Sequence, residues 1–263
     1  MVRPHLRSLT FALGMLPLIG FIAVADLGAA EQSAAAPTAA PAAAPDLTQA
    51  QLVEEITQLG GIVKHEGDAP DGAIEGITFT YTHTAKMSPG GKPVPPYAVT
   101  DDLVRQMMQL PKLTSLELNM CPGITVAAMR HIGAKTQLVH LALPGARVND
   151  AAMHELAGLT NLRYFRASVA SAVTAAGWAD LEGMTQLQTL LIAETSIGDK
   201  GMEHLKGLTQ LREISLYGTP VTDAGAEVLK GLPNLTSVRC GPQMSKGMVA
   251  KLQAVLPTCR FWR

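Results

Sequence analysis

Residues 187–216 read LQTLLIAETSIGDKGMEHLKGLTQLREISL, and the spacing inside them decides the fold. Leu187-x-x-Leu190-x-Ile192 opens the stretch, and Leu211-x-x-Ile214-x-Leu216 begins 24 residues later. Leu190 and Ile192 alternate, as on the buried side of a short strand. Ile197 follows, then Gly201-Met202, then Leu205 three residues on, which is one face of a short helix. The unit is therefore a strand, a turn and a helix that returns on the other side. One such unit cannot bury its apolar face alone, so it requires stacked neighbours.

The neighbours are present. Upstream lie Leu113-x-x-Leu116-x-Leu118, Leu138-x-x-Leu141-x-Leu143 and Leu162-x-x-Phe165-x-Ala167. Downstream come Leu235-x-x-Val238-x-Cys240 and a partial copy, Cys259-x-x-Trp262. Successive starts are 25, 24, 25, 24, 24 and 24 residues apart. Ile124, Val148, Val173, Ile197 and Val221 follow the strands. Ala128-Met129, Ala152-Met153, Gly177-Trp178 and Gly225-Ala226 repeat the small–bulky pair. Asp150, Asp199 and Asp223 stand at the helix starts, where a carboxylate accepts free backbone N–H bonds and opposes the helix dipole. That capping role explains their recurrence without a metal or a catalytic carboxylate row.

An earlier copy, Ile74-x-x-Ile77-x-Phe79, starts 39 residues before Leu113. Its helix half is recognisable from Val99-Thr100-Asp101 through Met107 and Leu110, so the extra residues fall within 80–98. Pro89-Gly90-Gly91, Pro93, Pro95 and Pro96 make that insert a loop. Before it, residues 47–73 read as an N-terminal helical cap. Asp46 or Thr48 starts a helix with Val53, Ile56 and Leu59 on one face, Gly60-Gly61 ends it, and a strand-like Ile62-Val63 follows.

This motif resembles that of leucine-rich repeat proteins over residues 74–263. Val221-Thr222-Asp223-Ala224-Gly225 and the IGDKG run from Ile197 resemble repeats of exported bacterial members. They are also similar to the cysteine-containing repeats of F-box proteins. The resemblance implies an α/β solenoid, a right-handed horseshoe or arc with a concave parallel sheet and short convex helices. It also implies a Cys or Asn at the ninth position, bonding the turn. Here that position holds Cys121, Ala146, Ala170, Thr195, Thr219 and Gln243, of which the two alanines depart from the pattern.

Composition excludes several functions. Lys and Arg number 21 against 22 Asp and Glu, which gives no basic stripe for nucleic acid and no attraction to an anionic membrane. Three cysteines, at 121, 240 and 259, are odd in number and lack paired spacing, so they read as buried structural thiols. No G-x-S-x-G, H-E-x-x-H or C-x-x-C occurs, and Gly90-Gly91-Lys92 lacks the P-loop spacing. His131 and His204 share a repeat position three units apart, too far to share a metal. The expectation is no enzyme, no cofactor and no metal.

Arg3, His5 and Arg7 precede an apolar run ending near Ala25, and small residues follow, Gly28-Ala29-Ala30. Residues 1–30 read as an export signal cut after Ala30, against an uncleaved anchor as the alternative. Residues 31–46, mostly Ala, Pro, Ser and Thr, read as a disordered tether. The protein is expected to be secreted or periplasmic, with membrane contact only if the signal stays as an anchor.

Outward strand positions follow from alternation. One row is Ser115, His140, Tyr164, Thr189, Glu213, Ser237 and Phe261. The next is Glu117, Ala142, Arg166, Leu191, Ser215, Arg239 and Arg263, and a third runs from Asn119 to Tyr217. Tyr164, Arg166, Leu191, Glu213, Tyr217 and Arg239 form the candidate partner-binding patch, because Tyr and Arg are enriched at hot spots. The inserted loop, with Tyr81, His83, Lys86 and Tyr97, is the alternative surface. The expected function is an exported recognition module for a protein or glycan. A structural envelope or cell-surface component without a dedicated ligand is the alternative.

Overall fold

The computed structural model describes residues 46–69, 72–79 and 99–263. The expected export signal, nearly all of the tether and the insert with Tyr81, His83, Lys86 and Tyr97 lie outside the described residues.

The chain from residue 43 onward forms one compact unit. It opens with helix α1 (Gln49–Gln58) and strand β1 (Gly61–His65). Of the two candidate starts of α1, Thr48 caps the helix. Its side chain accepts from the Gln51 amide, and the Gln51 side chain answers at the Thr48 amide. Asp46 pairs instead with Arg105, 2.7 Å away. Leu52 and Ile56 are the residues of α1 that reach the core. Gly60, at φ 79, lets the chain turn back sharply.

Strand β2 (Ile74–Phe79) begins the repeats, followed by α2 (Asp101–Met107), β3 (Ser115–Leu118), α3 (Val126–Gly133) and β4 (His140–Ala142). Then come α4 (Asp150–Leu156), β5 (Tyr164–Arg166), α5 (Ala175–Trp178), β6 (Thr189–Leu191), α6 (Asp199–Glu203) and β7 (Glu213–Ser215). The last elements are α7 (Asp223–Ala226), β8 (Ser237–Arg239), α8 (Lys246–Val255) and β9 (Arg260–Trp262). The strands lie in one sheet in chain order. Strands β2 to β9 are parallel, and β1 alone runs antiparallel to its neighbour β2. This is the leucine-rich repeat solenoid fold. One continuous apolar core fills the space between the sheet and the helices, and the motif leucines are buried in every unit.

The expected register fails in the final unit. Phe261 pairs with Val238, 23 residues earlier, so Phe261 turns toward the core while Arg260 and Trp262 face outward. The outward rows therefore end at Arg260 and Trp262, not at Phe261 and Arg263. The cause is visible in the turns. The residue two places after each strand core position is left-handed in five consecutive units: Met120, Gly145, Val169, Glu194 and Gly218, at φ 53, 70, 66, 56 and 68. The next unit presents Pro242 there, and proline is locked near φ −65°. That turn takes a shorter path, and the capping Ser245 follows Thr222 by 23 residues. Gln243 is exposed as a result and does not fill the ninth position. Thr195 and Thr219 do, donating to the Ile192 and Leu216 carbonyls at 2.8 and 2.7 Å. Cys121 lies 3.6 Å from the Asn119 carbonyl.

The aspartates do more than the sequence reading expected. Side chains of Thr100, Thr125, Asn149, Thr174, Thr222 and Ser245 cap the helices. The aspartate is the first helical residue, and its carboxylate reaches the capping residue of the next unit. Asp101 accepts from the Thr125 amide and hydroxyl at 2.7 and 2.5 Å. Asp150 does the same to Thr174, Asp199 to Thr222 and Asp223 to Ser245. Where the first helical residue is Val126 or Ala175, the next capping position is Asn149 or Gly198, with no hydroxyl to receive.

Candidate functional site

The helices cover one face of the sheet, and the other face is open. The pairing aligns two outward rows across it. His140, Tyr164, Thr189, Glu213, Ser237 and Arg260 form one, and Ala142, Arg166, Leu191, Ser215, Arg239 and Trp262 the other. Five of the six candidate residues lie in these rows, and Tyr217 stands just past the end of β7.

The structure divides the candidate patch. Arg166, Leu191, Glu213 and Arg239 line one groove of about 580 Å³, together with Trp262 and Arg263. Its floor is made of small side chains: Ser168, Ala193, Ser215 and Ser237. Tyr217 stands at its rim, and the Arg239 guanidinium lies 4.6 Å from the centre of the Tyr217 ring. Beyond that pair, a second hollow of about 720 Å³ opens at the strand ends, among Glu194, Tyr217, Gly218, Pro242, Lys246 and Arg263.

Tyr164 is separate from both. Its ring stacks on His140, with centroids 4.0 Å apart and planes 6° from parallel. Glu117 reaches His140 Nε2 at 2.9 Å, but the approach is not aligned for a hydrogen bond. Burial pushes the Tyr164 hydroxyl above its ordinary pKa. Asn119 donates to the Phe79 carbonyl and to Glu117, at 3.0 and 3.3 Å. This end of the face is filled by its own side chains.

Sequence reasoning missed Trp262, which is 55% exposed at the groove end, and Arg260 beside it. The signal that finds them is Pro242, at the position where other units need a left-handed residue.

The chemistry available here is binding chemistry. Arg166 and Arg239 make no ion pair among the described residues, and Glu213 makes none either. Cys121, Cys240 and Cys259 are free and buried. Burial raises the Cys121 thiol to about 12 and the Cys259 thiol to about 11, which leaves them protonated and unreactive. Helix histidines pair with acids of the preceding or following unit, His204 with Glu182 at 2.6 Å and His154 with Asp180 at 3.5 Å. No group of three His, Cys, Asp or Glu among the described residues is placed to hold a metal. None of their helices is long and apolar enough to cross a membrane.

No protein-family model matches the chain, and no curated protein matches it. Among solved structures it is similar to internalin C2 from Listeria monocytogenes, solved by crystallography. The TM-score is 0.53 at 20% identity, over 80% of each chain. That likeness is one of fold, and it agrees with the repeat register described above.

Proposed function

We propose that the protein is an exported leucine-rich repeat recognition module that docks a protein partner, or a glycan, on the open face of its sheet. The observation that carries this reading is the groove at β5–β9. Its walls are Arg166, Leu191, Arg239 and Trp262, its rim is Tyr217, and its cations lack acidic partners among the described residues. Arg, Trp and Tyr are the side chains that dominate binding hot spots. The floor is a sheet pinned by the core beneath it, so little ordering entropy is lost when a partner arrives. Export rests on the N-terminal sequence, with its basic start, apolar run and Gly28-Ala29-Ala30.

The test is capture from the native envelope fraction. The full chain is compared with a variant carrying Tyr164, Arg166, Tyr217 and Arg239 all changed to Ala. A second variant changes Lys200, Glu203 and Lys206, exposed on the helix side, to Ala. A partner kept by the helix-side variant and lost by the groove variant, with both folded by circular dichroism, supports the reading. A partner lost only by the helix-side variant contradicts it. Capture of nothing but further copies of the chain favours a structural role.

A further inference from the structure

We infer that the groove takes an extended acidic peptide segment, with two carboxylates four residues apart and an aromatic or large apolar residue two positions beyond one of them. The inference deepens the docking role proposed above and rests on it.

The argument begins with register. Arg166 on β5 and Arg239 on β8 stand in one row, separated by Leu191 on β6 and Ser215 on β7. Three strand steps put them about 14 Å apart. An extended peptide advances about 3.3 Å per residue, so its residues i and i+4 span about 13 Å and point the same way. A carboxylate over Arg166 therefore places the next matching side chain but one over Arg239. Residue i+2, also facing the sheet, falls between Leu191 and Ser215, where an apolar group fits. Trp262 is one strand further along the same row, about 19 Å from Arg166, which is the reach of residue i+6.

The charges agree with this spacing. Neither Arg166 nor Arg239 has an acidic partner among the described residues. The Tyr217 ring occupies one face of the Arg239 guanidinium. Its edge N–H groups stay available for the two-point contact that a carboxylate accepts. Serines on the floor offer hydroxyls to the peptide backbone. A long polyanion fits less well. Glu213 faces the same groove, and Glu117 makes the far end of the sheet face acidic, so the cationic stretch is short.

The test uses the full chain and a labelled, capped heptapeptide with Asp at its first and fifth positions, Leu at the third, Phe at the seventh and Ser elsewhere. Binding is followed by fluorescence polarisation. Replacing both Asp by Asn weakens binding about 25-fold, about fivefold for each exposed ion pair. Moving the second Asp to the third position, with Leu at the fifth, loses one of the two contacts. The Arg166→Glu/Arg239→Glu chain rejects the peptide and accepts the version with Lys at positions one and five, which also shows that the variant folds. No binding up to about 1 mM overturns the inference. So does equal affinity for the Asn peptide, or displacement by oligothymidylate at matched charge.

Selection of random heptapeptides on the full chain separates this inference from the docking role. Sequences with the acid pair at this spacing support it. Sequences without the pair that the Arg166→Gln/Arg239→Gln chain fails to retain overturn the acidic motif and leave docking in place. Sequences that this variant retains overturn both.

Discussion

The carboxylate of Asp150 accepts two hydrogen bonds from Thr174, one from its amide at 2.7 Å and one from its hydroxyl at 2.6 Å. Thr174 belongs to the following repeat, so the pair joins two units. The Thr174 hydroxyl also accepts from the Ala176 amide and so caps its own helix. Asp150, Thr174 and the start of α5 thus form one chain of bonds. It makes the position of each helix depend on the unit before it. Removing either partner leaves the other's polar groups short of partners. Asp150→Ala and Thr174→Ala are each expected to lose about 1–2 kcal/mol by urea unfolding. The double variant should lose less than their sum, by about 1 kcal/mol. Strict additivity would show that the two residues act independently.

The clasp can be added where it is missing. Ala175 and Gly198 stand where Asp and Thr would stand, and a side chain at Gly198 meets no atom within 4 Å. The space for the carboxylate is ready too. Gly177 and Gly225 lie so close to Asp150 and Asp199 that a Cβ would come within 2.4 Å of a carboxylate oxygen. Gly201 holds the same place after Gly198. Ala175→Asp with Gly198→Thr is expected to raise stability by about 1 kcal/mol, or Tm by about 2–4 °C, with less from either change alone. An unchanged melting curve for the pair contradicts the clasp.

The clasps also predict acid sensitivity. Burial tends to raise the Asp199 pKa, but the hydrogen bonds from Thr222 and Gly225 outweigh it and hold it below 3.8. The Asp223 pKa is lowered by the Ser245 hydroxyl and amide. A carboxylate with a depressed folded pKa stabilises fully above its unfolded value, and that contribution disappears as pH falls through the folded value. The loss therefore falls below pH 3.8. Asp199→Asn and Asp223→Asn should lower stability at pH 7 and flatten its decline below that point. A decline of unchanged steepness would place the acid response in other carboxylates.

Val169 is a β-branched residue held at φ 66, where a side chain of that shape is strained. It is 51% exposed, so little packing holds it there. Val169→Asn is expected to raise stability by about 1 kcal/mol, since Asn accepts the left-handed region. The mirror experiment is Gly145→Val, where φ is 70 and the new Cβ would meet Met120 Sδ at 2.1 Å. It should destabilise by more than the first change stabilises. The reverse order in thermal melts would contradict this account of the turn.

Much of this fold is visible in residues such as Leu187, Leu190 and Ile192, because burial at a fixed period needs no knowledge of partners. Ser115 to Ser237 fall on the open face as alternation requires. The register of β9 was hidden by an intact step of 24 from Leu235 to Cys259, although Pro242 had already shortened the turn before it. The reach of Asp150 into the next unit was hidden for another reason. A carboxylate at a helix start has a local explanation that suffices, and only the fold brings Thr174 beside it. The patch was read as one surface, but Tyr164 is taken up by His140. Stacking between neighbouring strands depends on rotamers that spacing does not specify. The alternative loop surface of Tyr81, His83, Lys86 and Tyr97 lies outside the described residues.

The central claim is that the open face, at the groove between β5 and β9, is where a partner docks. The direct measurement is photo-crosslinking from that face in the native envelope. Tyr217→p-benzoylphenylalanine keeps an aromatic ring at the groove rim, where Tyr217 is 47% exposed. Lys206→p-benzoylphenylalanine, on the exposed helix side, is the control. The account predicts one discrete adduct from position 217, none of that mass from position 206, and loss of the adduct when Arg166 and Arg239 are changed to Ala. The same adduct from position 206 alone, or its persistence without the two arginines, would contradict the claim.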